Sequence, residues 1–539
     1  MSEEKRLVRL TIDGKVAQVP ADSNVLEAAK SVGVRVPNFC YHPDLIWEGS
    51  CRMCLVSIKG RPKLTASCCE PVGEGMEVEF SSQLAEDARR AQLEFLLINH
   101  PLDCPICDQA GECKLQDYYV EHGRYASRMP RNLKFHKEKV VDLGERIVLD
   151  KERCVLCSRC VRFCRDVSGS HALQFFTRGV TTEIGTENDR PITGDDYIGN
   201  VVDICPVGAL TSKDFRFRQR VWFLKSAESV CAHCSTGCNI RVDSKDGQIY
   251  RFVPRRNPEV NRSWICDAGR DSYKLSQGDA RLSRPRLRRG GESAGVPWEE
   301  ALSFVSDAIR ASRGRIAALA TPRASNETLF VFKRFAQEVL HSSLLDYRVD
   351  GSHTKTGEMA DRILRRSDPN PNNSGCRLLG LDQAASVDAI LETCAAGKVK
   401  LLYLLGPELL HRHPDPKKVR EALAQVEQVV VHATHEGPGL DSATVLLPDA
   451  PHTELAGTFV NYEGRVQRFQ PAFAPRPGAV PAHRVLAEVA RRLAVEVPAG
   501  APSALFDAMA ASEPAFQGMT FERIDRFGTR VGVLQTAES

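Results

Sequence analysis

RCVLCSRCVRFC, residues Arg153–Cys164, is the stretch that decides how this 539-residue chain is organised. Three of its four cysteines have the spacing C-x2-C-x2-C, and the later segment DICPVGAL adds another cysteine that precedes a proline. Three thiolates on one tight loop can take three corners of an iron–sulfur cage, and a distant fourth thiolate closes it. The spacing predicts a [4Fe–4S] site, the third along the chain, formed by Cys154, Cys157, Cys160 and Cys205. Cys164 is predicted to be spare, because no second triplet surrounds Cys205.

A histidine joins three cysteines just upstream, in NHPLDCPICDQAGEC at residues 99–113. The spacing H-x3-C-x2-C-x5-C suits a zinc knuckle as well as an iron–sulfur cluster, since both metals accept thiolate and imidazole ligands. The apolar periodicity of residues 84–99 predicts a helix that ends immediately before His100. From spacing alone this second site is a metal site of either kind, with the ligands His100, Cys104, Cys107 and Cys113.

The first 82 residues contain another cysteine group behind a hairpin-like start. Alternating apolar residues flank the turn pair Asp13-Gly14, and Asn24 is placed to cap a short helix, which together predict a small β-grasp-like fold. The spacing C-x10-C-x2-C-x13-C is similar to that of plant-type [2Fe–2S] ferredoxins, whose first gap is shorter. A zinc ribbon is the alternative. The ligands of this first site are Cys40, Cys51, Cys54 and Cys68.

A fourth group reads C-x2-C-x3-C-x27-C, which resembles the [4Fe–4S] site at the start of molybdopterin oxidoreductases. Its ligands are Cys231, Cys234, Cys238 and Cys266. The four sites together leave four of the 19 cysteines unassigned, namely Cys69, Cys164, Cys376 and Cys394. Closely spaced thiols in a reducing compartment indicate metal ligands before disulfides.

Charge and hydropathy exclude several classes of protein. The 72 Lys and Arg against 69 Asp and Glu give no single-signed field of the kind that nucleic-acid binders carry, so protein partners are expected. No apolar run approaches the roughly 18 residues of a transmembrane helix, so any membrane association is expected to be indirect. The start, MSEEKRLVRL, has no apolar signal region, which predicts a cytoplasmic location.

The second half of the chain has a different pattern of predicted secondary structure. After a Pro- and Gly-rich linker near residue 284, helix-like segments alternate with short apolar runs such as KVKLLYLLG and VEQVVVHAT. Helices that alternate with short buried strands predict a mainly parallel α/β sheet. No G-x-G-x-x-G motif follows a strand, so no nucleotide site is predicted. The chain is therefore expected to be multidomain, α+β in its first half and α/β in its second.

The sequence motifs around these cysteines resemble those of one family, the G subunit of NADH:quinone oxidoreductase, which is the 75 kDa subunit of mitochondrial complex I. FCYHPDL, GSCRMCLV, INHPLDCPICDQAGEC and GNVVDICPVGALTSK carry the resemblance over the first half, and APHTELAGTFVNYEGRVQ extends it to a molybdopterin-oxidoreductase-like domain. The resemblance implies one [2Fe–2S] cluster at the first site and three [4Fe–4S] clusters at the others, with His100 as a true ligand.

The same resemblance implies how the chain works. Electrons from NADH pass through flavin in a neighbouring subunit, then singly through the first, third and second sites, with the fourth cluster a side branch. The chain itself needs no catalytic acid, base or nucleophile. Its expected partners are the flavin- and NADH-binding subunit and other hydrophilic complex I subunits, on the cytoplasmic face of the inner membrane. For Arg52, Arg159 and Arg162, tuning of the clusters and a plain packing role are equal alternatives.

Five domains are predicted from these patterns. Residues 1–82 form a β-grasp [2Fe–2S] ferredoxin-like domain, 83–142 a [4Fe–4S] domain with one histidine and three cysteine ligands, and 143–222 a ferredoxin-like [4Fe–4S] domain. Residues 223–282 form a molybdopterin-oxidoreductase-type [4Fe–4S] domain, and 283–539 a shortened molybdopterin-oxidoreductase-like α/β domain. No molybdopterin is expected, because only about 260 residues follow Arg281.

Two other functions stay open at this point. The same sites also occur in subunits of soluble NAD-linked formate dehydrogenases and hydrogenases, but a catalytic subunit of either kind would need a longer or more cysteine-rich C-terminus. A zinc-bearing scaffold with no redox role is the second alternative. Metal analysis separates the zinc scaffold from the iron–sulfur proteins.

Overall fold

The computed structural model describes residues 6–532 and separates into two compact units, residues 1–224 and 225–539. Among the residues described, no helix is both long and apolar enough to cross a membrane.

The first unit opens with the predicted β-grasp module. Asp13 and Gly14 both have positive φ, which lets the chain reverse in a two-residue hairpin turn. The Asn24 side chain accepts a hydrogen bond from the Glu27 amide and so starts the helix Val25–Ser31. The five strands lie in the order Lys15–Pro20, Leu7–Ile12, Glu77–Glu79, Leu55–Ile58 and Thr65–Ala66. Their inner face and the helix share one apolar core.

Two helices and short loops follow. The helix Gln83–Leu97 confirms the helical pattern predicted over residues 84–99, and it ends shortly before His100. The Ser82 side chain caps its first turn. The second helix, Lys114–His122, begins at Cys113. Two 3-10 turns, Cys104–Ile106 and Arg131–Leu133, complete this part.

The ferredoxin-like part is built from short elements around its cysteine loops. Helix Arg159–Arg162 continues into a π-helical turn, Phe163–Val167, and helix Asn200–Ile204 ends immediately before Cys205. The strands form one three-stranded and one two-stranded sheet: Leu210–Ser212, Ile147–Leu149 and Val141–Asp142; Gln174–Phe176 and Glu183–Gly185. The 3-10 turns are Gly179–Thr181, Glu187–Asp189 and Val221–Phe223.

The second unit begins with an antiparallel meander and a short helix that carry the fourth cysteine group. The strands are Lys225–Val230, Asn239–Lys245 and Gln248–Pro254, and helix Asp267–Asp271 runs into the 3-10 turn Ser272–Ser276.

A seven-stranded sheet dominates the rest of the second unit. Its order is Glu292–Gly295, Arg286–Arg289, Val445–Pro448, Gln428–Ala433, Leu401–Leu405, Ile316–Leu319 and Leu344–Asp346. The last five strands are parallel, and the first two form an antiparallel hairpin at one edge. This confirms the predicted mainly parallel α/β domain.

Helices cover both faces of this sheet and create two apolar cores. They are Trp298–Ala311, Asn326–Glu338, Asn373–Leu378, Val387–Ala395, Glu408–Arg412, Pro416–Leu423, Ala482–Arg492 and Pro502–Ser512. A small antiparallel sheet, Gly457–Val460, Arg465–Phe469 and Thr529–Arg530, lies alongside. The remaining 3-10 turns are Ser352–Lys355, Leu440–Ser442, His452–Glu454, Pro514–Phe516 and Phe521–Arg523.

Candidate metal centres

The four cysteines of the first site lie in direct contact. Cys40 interacts with both Cys51 and Cys68 through thiol hydrogen bonds, and Cys54 interacts with Cys68. The hydrogen bond with Cys68 lowers the pKa of Cys54 to about 7, and the same contacts raise the pKa of Cys68. The backbone amides of Phe39 and Cys40 each point at the Cys51 sulfur from 3.4 Å. The site therefore gathers four sulfurs and supplies backbone donors that stabilise thiolate.

The neighbouring cysteine, Cys69, faces outward. Its side chain is exposed, whereas Cys68 is buried, although the two sulfurs are only 3.6 Å apart. Arg52, between Cys51 and Cys54, has a left-handed backbone with φ of 55°, which tightens that ligand loop. The structure thus places Cys68, rather than Cys69, among the other three thiols.

The third site is a small, buried cavity. Its walls include all four predicted ligands together with apolar side chains from both cysteine segments. The lining residues are Cys154, Val155, Leu156, Cys157, Ser158, Arg159, Cys160, Ile184, Cys205, Pro206, Val207, Ala209 and Leu210. Cys164 is also buried but does not line this cavity.

Burial and mutual repulsion make these four thiols weak acids. Burial, followed by repulsion from Cys157, raises the pKa of Cys154 to about 12 and that of Cys205 to about 11. Four thiolates can share such a cavity only if a cation compensates them, and the iron of a cluster supplies that charge. The donor set fits the group.

The loop that carries the triplet has an unusual backbone. Leu156 and Ser158 both adopt left-handed φ values, 51° and 61°, which are uncommon outside glycine. The Leu156 amide then donates to the Cys154 sulfur over 3.4 Å. The backbone thereby turns around the cavity that the three cysteines line.

The second site is more exposed. Cys104 is exposed, Cys107 and Cys113 are partly buried, and the three thiols lie close enough to repel one another electrostatically. Burial raises the pKa of Cys113 to about 11. Burial also lowers the pKa of His100 to about 4, so its imidazole is neutral at pH 7 and free to donate a lone pair to a metal.

The fourth site, in the second unit, is fully buried. The Cys231 amide donates to the Cys238 carbonyl over 2.8 Å, which closes the loop between them. The Cys266 sulfur accepts a hydrogen bond from the Gly269 amide at 3.3 Å. A Cβ atom at Gly269 would stand 3.1 Å from the Cys231 sulfur and 3.2 Å from the Cys266 sulfur, so this glycine lies between them. Burial raises the pKa of Cys266 to about 11.

The predicted ligands are not arranged as they would be around a single metal ion. Among residues 6–532, no three His, Cys, Asp or Glu side chains converge in the way that holds one metal ion. The ligands of an iron–sulfur cluster are divided among two or four iron atoms, so the set as a whole is more widely spaced than the ligands of one ion. The fit of the four sites to clusters rests on the burial, contacts and backbone donors described above.

Contacts within the first unit join three of the sites. The Lys114 amide, next to Cys113, donates to the Pro206 carbonyl, next to Cys205, over 2.9 Å, so the second and third sites touch. Arg162 donates to the carbonyls of Cys40 and Cys157, which belong to the first and third sites. The third site therefore contacts both of the others. No sequence spacing signals these contacts, because they join residues far apart in the chain.

A larger cavity of about 630 Å³ lies at the carboxyl ends of the parallel strands in the second unit. Ala232 and His233, beside the fourth site, form part of its wall, and so do Arg323, His435 and Asp449. Sequence patterns did not predict it, because its lining comes from many separate loops.

The cavity wall contains no cysteine. Cys376 and Cys394 are both completely buried, each within one of the two apolar cores. Cys376 lies in the helix Asn373–Leu378. Among the described residues, neither Cys376 nor Cys394 lines this cavity.

Five family models match the chain. They are a 2Fe–2S iron–sulfur cluster binding domain at residues 5–83, the NADH-ubiquinone oxidoreductase-G iron–sulfur binding region at 89–128, and the ferredoxin-like domain of NADH-quinone oxidoreductase subunit 3 at 144–211. The 4Fe–4S domain of NADH-ubiquinone oxidoreductase NDSU1/NuoG-like proteins matches residues 224–274. The molybdopterin oxidoreductase model matches 281–387 and 370–492.

Curated relatives agree with these models. The G subunit of the NADH-quinone oxidoreductase of Streptomyces coelicolor is 38% identical over 455 residues, which is 83% of this chain and 53% of that protein. The G subunit from Rickettsia bellii is 38% identical over 349 residues, 64% of this chain and 51% of that protein. Over most of its length this chain is similar to the G subunits of NADH-quinone oxidoreductases. It spans about half the length of the relatives that it matches.

Among solved structures, the chain is similar to part of an NAD+-reducing [NiFe]-hydrogenase in its H2-reduced state. That likeness has 31% sequence identity and a TM-score of 0.35, and it covers 40% of this chain and 91% of the other. The similarity to these relatives confirms the resemblance drawn from the motifs, and the matched models confirm that the chain contains both 2Fe–2S and 4Fe–4S domains.

Proposed function

We propose that this chain is the iron–sulfur electron-transfer subunit of an NADH:quinone oxidoreductase, passing single electrons from a flavin subunit toward the quinone-reducing module. It holds one [2Fe–2S] cluster at the first site and a [4Fe–4S] cluster at each of the other three. In the whole complex this transfer is coupled to proton translocation. The chain works on the cytoplasmic face of the inner membrane, attached through other hydrophilic subunits.

One observation carries the proposal. Cys154, Cys157, Cys160 and Cys205 come from two segments of chain and line the same buried cavity. Burial and mutual repulsion raise the pKa of Cys154 to about 12 and that of Cys205 to about 11, so thiolates at these positions are stable only when a metal compensates their charge. The spacing of the triplet and the cavity that it lines both favour a four-cornered cage.

The residues of the chain have clear tasks in this function. When bound, the clusters supply one-electron transfer, and no acid, base or nucleophile is required. The cysteine thiolates bind iron, the backbone amides of Phe39 and Leu156 donate to sulfur, and the apolar walls exclude water. The neutral imidazole of His100 brings less negative charge to its site than a thiolate would, which raises the reduction potential there.

The contacts between sites support an order of transfer. The first site touches the third through Arg162, and the third touches the second through the Lys114 amide and the Pro206 carbonyl. We propose that electrons pass in that order, first, third and second. The fourth site belongs to the other compact unit and is a side branch.

The test is anaerobic purification of the chain with its native partners, followed by iron, sulfide and zinc analysis. The proposal requires about 14 iron atoms per chain, from one two-iron and three four-iron clusters, and copurification of flavin, quinone-site and membrane subunits. Zinc in place of iron would identify a scaffold. Copurification with a soluble hydrogenase or formate dehydrogenase, without membrane subunits, would replace complex I by that assembly.

A further inference from the structure

Arg159 is a buried cation between the first and third sites. Only 4% of its surface is exposed. Its guanidinium donates to the Ile204 carbonyl over 3.1 Å, to the Asn38 side-chain oxygen over 3.2 Å, and to the Tyr41 carbonyl. Ile204 immediately precedes Cys205 of the third site, while Asn38 and Tyr41 flank Cys40 of the first.

This guanidinium lacks a carboxylate partner. Its three hydrogen-bond acceptors are two carbonyls and an amide oxygen, and within residues 6–532 no Asp or Glu forms an ion pair with it. A buried charge that is not compensated is strongly destabilising, so native proteins pair such charges. The side chains whose ionisation would compensate Arg159 are Cys157 first, then Tyr118 and Cys205, and of these Cys157 and Cys205 are assigned ligands of the third site.

Its neighbour Arg162 is in a different position. Arg162 is equally buried but forms an ion pair with Glu48 at 3.3 Å and a hydrogen bond with the Ser158 hydroxyl at 2.9 Å. Its charge therefore has a counter-ion on the protein. Of these two arginines, only Arg159 depends on the cluster ligands to compensate its charge.

We infer that Arg159 is a positioning residue shared by two clusters. The fork of N–H groups on its guanidinium holds the loops of the first and third sites together, and its positive charge raises the reduction potential of both clusters. The inference rests on the proposed function, because it requires clusters at both sites. A fixed positive charge in a buried, low-dielectric place favours the state with one more electron. The effect is larger at the third site, because Arg159 is part of its ligand loop, between Cys157 and Cys160.

The test compares three variants in the assembled complex. Arg159→Gln removes the charge and keeps some hydrogen bonding, and Arg159→Lys keeps the charge and loses the fork. Arg165→Gln is the matched control, since Arg165 follows in the same helical segment, is exposed, and pairs with Asp166 at 2.6 Å. Iron and sulfide are measured first, and the first and third clusters are then titrated by potential-controlled electron paramagnetic resonance.

In Arg159→Gln we expect both potentials to fall, the third by about tenfold in its reduction equilibrium, which is about 59 mV for one electron. Arg159→Lys should recover most of the fall at the third site and less at the first, and Arg165→Gln should move neither. Both clusters present in Arg159→Gln with unchanged potentials would overturn the inference.

If Arg159→Gln does not retain iron, the lysine variant decides the matter. Some fall in potential is still expected in Arg159→Lys, because an ammonium cannot reach Asn38, Tyr41 and Ile204 together. In Arg159→Lys, unchanged potentials at both sites would then overturn the positioning role. A tenfold fall at the third site would overturn the role of the charge, because lysine keeps that charge. A wild-type complex without iron at these sites would instead contradict the proposed function itself.

Discussion

The sulfur of Cys107 lies so close to Gly208 that a Cβ atom on this glycine would overlap it. Cys107 is a ligand of the second site, and Gly208 follows Cys205-Pro206 of the third. A Cβ atom does not pack this close to a sulfur in folded proteins, so any side chain at residue 208 must displace one of the two loops. The two sites are thus packed against each other at a glycine.

Gly208→Ala should therefore damage the second site more than the third. Overpacking of this kind costs about 1–3 kcal/mol, and here the strain falls on a ligand loop. We expect reduced occupancy of the second [4Fe–4S] cluster, measured by iron content and by its electron paramagnetic resonance signal. Gly437→Ala is the control, because nothing lies within 4 Å of a Cβ there. Full occupancy of the second cluster in Gly208→Ala would contradict the packing described.

Cys157→Ala should remove the third cluster and stop electron flow from NADH to quinone. Cys157 lines the cavity of the third site, and this site contacts both the first and the second. Cys164→Ala is the matched control, since Cys164 is buried nearby but does not line the cavity. Quinone reduction by an assembled Cys157→Ala complex at the control's rate would refute the assignment.

Cys68 and Cys69 form a pair of neighbours of which only one is assigned as a ligand. The Cys68 thiol is buried and hydrogen-bonded to Cys40 and Cys54, while Cys69 is exposed. Cys69→Ala should leave the [2Fe–2S] absorbance and resonance signal nearly unchanged, and Cys68→Ala should abolish or strongly alter them. The opposite pattern would mean that the two roles are reversed.

The sequence predicts the cysteine groups and several elements of the fold, but it does not predict the contacts between the sites. The ligand sets could be proposed from the sequence, because the spacing of cysteines on one loop is itself the geometric requirement, and they stay predictions. Helix Gln83–Leu97 was predictable because its apolar residues repeat with helical period. The β-grasp hairpin was predictable from Asp13-Gly14, whose positive φ values a two-residue turn requires.

The contacts between sites were not predictable in this way. Arg159 and Asn38 are 121 positions apart, and neither belongs to a motif that demands the other. The same holds for Gly208 and Cys107, whose approach depends on how two loops pack. The cavity at the strand ends of the second unit was missed for a related reason, because residues such as Arg323 and His435 meet only after the sheet has formed.

His432 should make the second unit sensitive to acid. It is buried on strand Gln428–Ala433, where its ring hydrogen-bonds the Tyr403 hydroxyl at 2.9 Å, and burial lowers its pKa from 6.5 to about 3. The unfolded chain takes up a proton near pH 6.5, and the folded chain only near pH 3. The stabilisation is therefore complete above pH 6.5 and is lost as pH falls toward 3, by about 1.4 kcal/mol for each pH step.

His432→Gln should remove this slope while keeping an acceptor for Tyr403. The measurement is hydrogen exchange of strand Gln428–Ala433 between about pH 7 and pH 5, corrected for intrinsic exchange rates. Wild-type protein should lose more protection than the variant as pH falls. Equal losses in the two proteins would show that His432 does not titrate on unfolding.

Cys238 provides the test of the fourth site as a side branch. Cys231, Cys238 and Cys266 are brought together in a buried cluster of residues, and a metal that ties these loops together contributes free energy to folding. The contacts that join the first, second and third sites all lie within residues 1–224, whereas Cys238 belongs to the second unit. Cys238→Ala should therefore lower the yield of assembled complex more than it lowers electron flow.

We expect near-normal NADH:quinone turnover per flavin in whatever Cys238→Ala complex assembles. Flavin content and turnover are measured in the same membranes, so that the number of complexes and their activity are separated. Cys394→Ala is the control for loss of a buried thiol, because Cys394 lies in the apolar core of the same unit and belongs to no site. Normal assembly with abolished turnover in Cys238→Ala would place the fourth cluster on the main path, because its loss would then interrupt transfer without weakening the fold.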